Sequence, residues 1–275
     1  MAKLKSAEDM AFMRRAGRLA AETLRHAAQW VAPGVSTEDI NTHVHNFIIE
    51  RGAYPSPLNY KGFPKSVCTS VNDVICHGIP HPETFLKEAD IINIDVTVTL
   101  DGYFGDCSRT FFVGPREAAS EESRLVVDTA EECLARGIAV TQHGTRLGDI
   151  GHAIQSYAEP KGCGVVRDFV GHGIGKVFHE EPAIPHYGQS GRGEKLIRGM
   201  CFTIEPMINA GSWRHKMLAD GWTAVTPDGK PSAQFEHTIA IVADGVEILT
   251  ALPDDPILHR AIALGAKVLW PDIKR

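Results

Sequence analysis

Two apolar segments of this chain carry an acidic residue in the same place, 110 positions apart. Asp95 lies in Ile91-Ile92-Asn93-Ile94-Asp95-Val96-Thr97-Val98, and Glu205 in Met200-Cys201-Phe202-Thr203-Ile204-Glu205-Pro206-Met207. The same offset relates Gly34-Val35-Ser36-Thr37-Glu38-Asp39-Ile40 to Gly144-Thr145-Arg146-Leu147-Gly148-Asp149-Ile150, Val44 to Ile154, Phe47 to Tyr157 and Gly52 to Gly162. Independent segments sharing one offset argue for an internal duplication, at a period too long for a solenoid. A carboxylate in the middle of a buried strand is costly unless it is paired or binds metal. One in each half implies two half-domains aiming acids at a shared central site.

The rest of the composition excludes several classes. The formal charge of −6 leaves no electrostatic footprint for nucleic acid or an anionic membrane. No apolar run reaches the length of a membrane span, and the start Met1-Ala2-Lys3-Leu4-Lys5 shows no signal peptide. The six cysteines are scattered without a C-x-x-C pair, which reads as reduced thiols of a cytoplasmic protein.

Periodicity places the acids on elements. A helix capped by Ser6 and Asp9 is expected to run to about Trp30, and a second from Ser36 or Thr37 to Gly52. Residues 53–66 read as a loop, followed by short strands near 67–70 and 73–76. Segment 91–113 reads as a hairpin turning at Asp101-Gly102, so that opposed residue numbers sum to 203. Asp106 then opposes Thr97, and Asp95 and Asp106 become diagonal neighbours on one face, with Cβ atoms roughly 7 Å apart or less. Such a spacing suits two carboxylates gripping metal; the alternative is a solvent-facing edge, which the flanking apolar residues oppose. The second half repeats the plan: helices over about 121–137 and 146–159, a Gly/His-rich segment, strand 200–209 and a returning strand 234–242. A closing helix is expected over about 255–268.

The returning strand places Glu236 as the counterpart of Asp106, in a hairpin about 20 residues longer. Asp95, Asp106, Glu205 and Glu236 would repel one another if bare, and two divalent cations would cancel their charge. Oxygen-rich ligation favours Mn, Fe, Co or Zn without choosing among them. In Val170-Gly171-His172-Gly173-Ile174-Gly175-Lys176-Val177-Phe178-His179-Glu180-Glu181-Pro182 the glycines leave room to aim His172. His77, in Cys76-His77-Gly78-Ile79-Pro80-His81, holds the matching place in the first half, so His77 and His179 would flank the site. No H-E-x-x-H, Glu-x-x-His pair, G-x-S-x-G elbow or phosphate loop is present.

Taken together, these motifs resemble type I methionine aminopeptidases of the pita-bread fold. The resemblance covers nearly the whole chain and rests also on Lys65-Ser66-Val67-Cys68, Asn93-Ile94-Asp95-Val96, Gly105-Asp106-Cys107-Ser108-Arg109-Thr110, Phe202-Thr203-Ile204-Glu205-Pro206 and Gln234-Phe235-Glu236-His237-Thr238. It implies an α+β fold of pseudo-twofold half-domains, an antiparallel sheet core covered by helices. One catalytic domain would span 1–275, with halves about 1–115 and 116–250 and a closing helix. It implies a dinuclear metallopeptidase with Asp95, Asp106, His172, Glu205 and Glu236 as ligands, Asp106 and Glu236 bridging. Glu205 would carry protons, and His77 and His179 would contact the scissile amide. A methionine pocket would be lined by Tyr60, Cys68, Phe178 and Trp222, with His77 at its edge. Pro57 and Phe63 depart from the cysteine and tyrosine of the family pattern. A monovalent cation near Asn72, Val74 and Ser232 is a further implication. The implied activity is removal of initiator methionine from nascent polypeptide N-termini when the second residue is Gly, Ala, Ser, Thr, Cys, Pro or Val. Its setting would be a cytoplasmic monomer, with the ribosome as a further partner and no role for membrane or nucleic acid. Proline-specific peptidases and creatine hydrolysis share the fold but usually add a large N-terminal domain, and only 94 residues precede Asp95. A type II enzyme would insert a helical subdomain where only 30 residues separate Glu205 from Glu236. A non-enzymatic relative would have lost ligands, and all five are present.

Overall fold

The computed structural model describes residues 2–269. Its first half runs α1 (Ala7–Ala28), α2 (Thr37–Ile49), β1 (Tyr54–Pro55), β2 (Cys68–Val71), β3 (Val74–Cys76), β4 (Ile91–Leu100) and β5 (Tyr103–Phe112). Its second runs α3 (Glu121–Val140), α4 (Leu147–Ala158), β6 (Gly164–Val165), β7 (Gly171–Gly173), β8 (Glu180–Ile184), β9 (Cys201–Ile204), β10 (Met207–Asn209), β11 (Lys216–Met217), β12 (Ala224–Val225), β13 (Ser232–Gln234), β14 (His237–Val242), β15 (Gly245–Ile248) and the closing α5 (Pro256–Ala263). The architecture is α+β, with antiparallel sheets backed by helices. No described helix is long and apolar enough to cross a membrane.

Local chemistry sets the helix ends. Ser6 and Asp9 form a reciprocal capping box on α1, and Ser36 and Asp39 form another on α2. Helix α1 stops at Ala28 and α5 at Ala263, both short of the periodic apolar pattern. The segment expected as pure loop, 53–66, contains β1, which pairs with β4.

The duplication is visible in the backbone hydrogen bonds. Gly34 N–H donates to Leu86 O and Gly144 N–H to Leu196 O; Leu86 N–H donates to Val35 O and Leu196 N–H to Thr145 O. Each pair is related by the offset of 110 that relates Asp95 to Glu205.

Strands β4 and β5 pair over their full length with Thr97 opposite Asp106, in the register the Asp101-Gly102 turn dictates. Alternation then sorts the faces. Ile92, Ile94, Val96 and Val98 pack against Leu19, Ala20 and Ala27 of α1 and Ile40, Val44 and Ile48 of α2. Asn93, Asp95 and Thr97 point the other way. In the second half Phe202, Ile204, Ile239 and Ile241 pack against α3 and α4 in the same manner. Helices cover the outer faces of both sheets, and the acids line the inner ones.

The second hairpin is not continuous. The strand expected over 200–209 breaks at Glu205-Pro206, and the one over 234–242 breaks at Phe235-Glu236. Strand β9 pairs with β14 in a five-stranded sheet, while β10 pairs with β13 in a three-stranded one. Both strands of the hairpin therefore change sheets at the same level. Pro206, which lacks an N–H, marks that change.

The register also corrects the placement of Glu236. The halves meet at an antiparallel bridge between Ser108 and Glu236. Around it, Thr238 Oγ1 donates to Asp106 O at 2.8 Å and accepts Asp106 N–H at 3.2 Å. Reciprocally, Thr110 Oγ1 donates to Gln234 O at 2.8 Å and accepts Gln234 N–H at 3.0 Å. The pseudo-twofold thus pairs Ser108 with Glu236 and Thr110 with Thr238. Glu236 is the counterpart of Ser108, two residues from Asp106; a shift of two keeps the face, so the acid still points inward.

Candidate metal centre and substrate pocket

The inward faces converge on one cavity of about 340 Å³. Its lining includes Asp95, Asp106, His172, Glu205 and Glu236 together with His77, His179, Tyr60, Cys68, Phe178 and Trp222, and both Pro57 and Phe63. Every residue expected at the catalytic site is therefore brought together. Ligand atoms of Asp106, His172 and Glu236 lie within 4.8 Å of one another. His172 Nε2 is 3.5 Å from Asp106 Oδ2 and 3.7 Å from Glu205 Oε1.

Backbone shape aims the histidines. A Cβ on Gly171 would come within 2.4 Å of Thr203 O, and one on Gly173 within 2.2 Å of Glu181 O. Only glycine lets the His172 strand pack between β8 and β9 this closely. His77 has φ of +57°, a left-handed conformation that non-glycine residues rarely adopt. Its ring meets Phe169 edge-on at 5.5 Å and Trp222 at 6.2 Å.

Electrostatics follow from burial. Asp106 is 4% exposed and Glu236 2%. Burial, then the charge of Asp106, pushes Glu236 and Asp95 well above the usual carboxylate range. Burial lifts Glu205 to about 7 against the opposing pull of His172. Burial alone would lower His172, but Asp106 and Glu205 outweigh it and raise it to about 9. Burial, reinforced by His172, lowers His179 to about 4, and burial lowers His77.

The donor set fits divalent cations. Asp95 Oδ1 is buried with no hydrogen-bond partner, and among the described residues no lysine or arginine pairs with any of the four acids. Buried carboxylates without cationic partners are costly, and an oxygen-rich set with one imidazole suits hard or borderline ions.

The pocket beside this cluster is aromatic. Tyr60 meets Phe178 at 4.8 Å, and Trp222 meets Phe63 edge-on at 5.3 Å. Tyr60 Oη lies 3.0 Å from His179 Nδ1. Asn72 O accepts Ser232 N–H at 2.9 Å, which brings two of the three monovalent-cation candidates together; Val74 pairs with Val225 on β12.

Several site residues were not singled out by sequence. Thr97 Oγ1 donates to Asp106 Oδ1 at 2.7 Å, and Thr203 Oγ1 to Glu205 Oε1 at 2.7 Å. Gln234 Nε2 reaches Glu205 Oε2 at 3.3 Å, and Glu205 N–H donates to His186 Nε2 at 3.0 Å. Thr97 and Thr203 each stand two residues from an acid, so strand alternation could have found them. His186 follows β8 in no motif and left no signal.

The sequence pattern of Metallopeptidase family M24 matches residues 11–243. The chain belongs to this family. It is 57% identical over 247 residues to methionine aminopeptidase A of Synechocystis sp., covering 90% of this chain and 96% of that protein. The crystal structure of methionine aminopeptidase from Rickettsia prowazekii superposes with a TM-score of 0.88 at 51% identity, over 91% of this chain and 100% of that one. The prolidase from Pyrococcus furiosus, at 20% identity, shares the fold with a TM-score of 0.71, over 90% of this chain and 65% of that one. This M24 chain is accordingly a metallopeptidase with the pita-bread fold, and its nearly full-length likeness is to methionine aminopeptidases.

Proposed function

We propose that this chain hydrolyses the bond after an N-terminal methionine when the second residue is small, acting in the cytoplasm on the initiator methionine of nascent polypeptides. The observation that carries the proposal is the convergence of four buried carboxylates and His172 beside an aromatic pocket. Asp95, Asp106, His172, Glu205 and Glu236 would hold two divalent ions, with Asp106 and Glu236 shared. When bound, such ions supply a water that ionises near neutrality and a polarised carbonyl. A monovalent cation beside Asn72, Val74 and Ser232 belongs to the same proposal.

The protein groups divide the remaining work. Glu205 would take up the proton of the attacking water. Tyr60 Oη lies 3.0 Å from His179 Nδ1; with the hydroxyl donating there, the ring proton would sit on Nε2 as a donor toward the substrate. His179 is neutral at pH 7, so it stabilises developing oxyanion charge by hydrogen bonding rather than by its own charge. His77, from the other half, contacts the scissile amide. Tyr60, Cys68, Phe178 and Trp222 take the thioether chain; sulfur against aromatic rings is a favourable contact. A neutral α-amine is a metal ligand and an acetylated nitrogen is a poor one, so cleavage requires a free N-terminus.

Peptide hydrolysis tests this reading. Met-Ala-Ser should release methionine efficiently, while Met-Lys-Ser and acetyl-Met-Ala-Ser should not. Efficient cleavage of either of the latter two overturns it.

A further inference from the structure

We propose that His186 is a positioning residue for Glu205, holding the backbone amide of that acid where its strand breaks. The inference rests on the reading of Glu205 as ion ligand and proton carrier. Strand β9 ends at Ile204 and β10 begins at Met207. At this break the Glu205 N–H has left the β9–β14 ladder, whose last pair is Ile204 with His237. A buried amide without a partner is destabilising. His186 Nε2 accepts it at 3.0 Å.

The imidazole does more than fill space. It is wholly buried, and its Nδ1 has no hydrogen-bond partner among the described residues. An apolar side chain of the same size would avoid that unpaired nitrogen, so the ring's one satisfied polar atom is what distinguishes it. Because Nε2 accepts, the ring is neutral with its proton on Nδ1.

The segment carrying the ring is itself fixed. A Cβ on Gly151 of α4 would come within 2.3 Å of Tyr187 O and 2.9 Å of Pro185 O, so the main chain on both sides of His186 lies tight against the helix. The Gly188 N–H donates to Gln155 Oε1 at 2.9 Å, a second tie to α4. Thr203 and Gln234 grip the Glu205 carboxylate, and His186 grips the amide of the same residue. The direction of the carboxylate is thereby set from both ends.

The test compares His186→Leu, which keeps the bulk without an acceptor, with His186→Gln, whose Oε1 can replace Nε2. Binding of Mn²⁺ to the chelator-treated protein is measured by calorimetry, and kcat and KM with Met-Ala-Ser. Loss of an outer partner of a metal ligand typically costs ~10–100-fold, so His186→Leu should weaken Mn²⁺ binding and lower kcat by about that factor, with KM little changed. His186→Gln should recover both. If His186→Leu does not fold, His186→Asn, whose acceptor is too short to reach the amide, takes its place against His186→Gln. Wild-type Mn²⁺ affinity and kcat in the acceptor-less variant, or equal impairment of it and His186→Gln, overturns the inference. Glu205→Gln, measured alongside, separates the two readings. If it keeps full Mn²⁺ affinity and kcat, the role of Glu205 fails and the inference falls with it. If it loses them while His186→Leu does not, only the inference fails.

Discussion

At the scale of single residues, the site separates side chains that would hold ions from side chains that would act on substrate. Ligand atoms of Asp106 and Glu236 lie within 4.8 Å of each other and of His172. Replacing either by Ala should remove bound metal and nearly all activity, which metal analysis of the purified variant checks. His77→Ala and His179→Ala should keep the metal and lower kcat by roughly 10²–10⁴-fold, the usual contribution of a proton donor or oxyanion partner. An emptied site in His179→Ala would contradict that division. Asp95 and Asp106 were legible in sequence because an Asp-Gly turn fixes register and alternation fixes the face. His186 was not, because a loop residue whose one hydrogen bond among the described residues is to a backbone amide carries no periodicity and no motif.

At the scale of elements, the two halves are stitched together by two threonines. Thr238 spans the backbone of Asp106 and Thr110 that of Gln234, each with one donated and one accepted bond. Thr238→Val removes the hydroxyl at constant shape and leaves the Asp106 amide and carbonyl short of partners. It should cost about 1–3 kcal/mol of stability in denaturant titration and weaken Mn²⁺ binding with it, since Asp106 rides on that strand. Unchanged stability and unchanged Mn²⁺ affinity would remove the junction from the account. This level also shows where sequence reading stopped. The offset of 110 carries through to Asp95 and Glu205, but beyond them the second hairpin has no two-residue turn to set its register. It crosses between sheets and includes β11 and β12, so Glu236 falls at the place of Ser108, not Asp106.

At the scale of the whole molecule, clustering the acids makes metal-free stability depend on pH. Native His172 is raised from 6.5 to about 9, and Asp95 and Glu236 lie well above their ordinary values. Between about pH 7 and 9 the native state therefore binds more protons than the unfolded chain, and stability falls as pH rises. The histidines lowered by burial, His26, His77, His179 and His186, carry a partial charge only in the unfolded chain near pH 7, so they oppose the trend at its lower edge and fall out of it once the pH is well above their ordinary value of 6.5. The melting temperature of chelated protein should drop from pH 7 to 9. Saturating Mn²⁺ should raise it throughout and abolish the drop, because ions bind the deprotonated ligands. A melting temperature that rises with pH in the chelated protein would contradict this picture. The most direct test of the central claim is methionine release from Met-Ala-Ser by protein stripped with a strong chelator, before and after a divalent ion is returned. No release from the stripped protein and full recovery with Mn²⁺ or Co²⁺ is the predicted result; full activity in metal-free protein would contradict it.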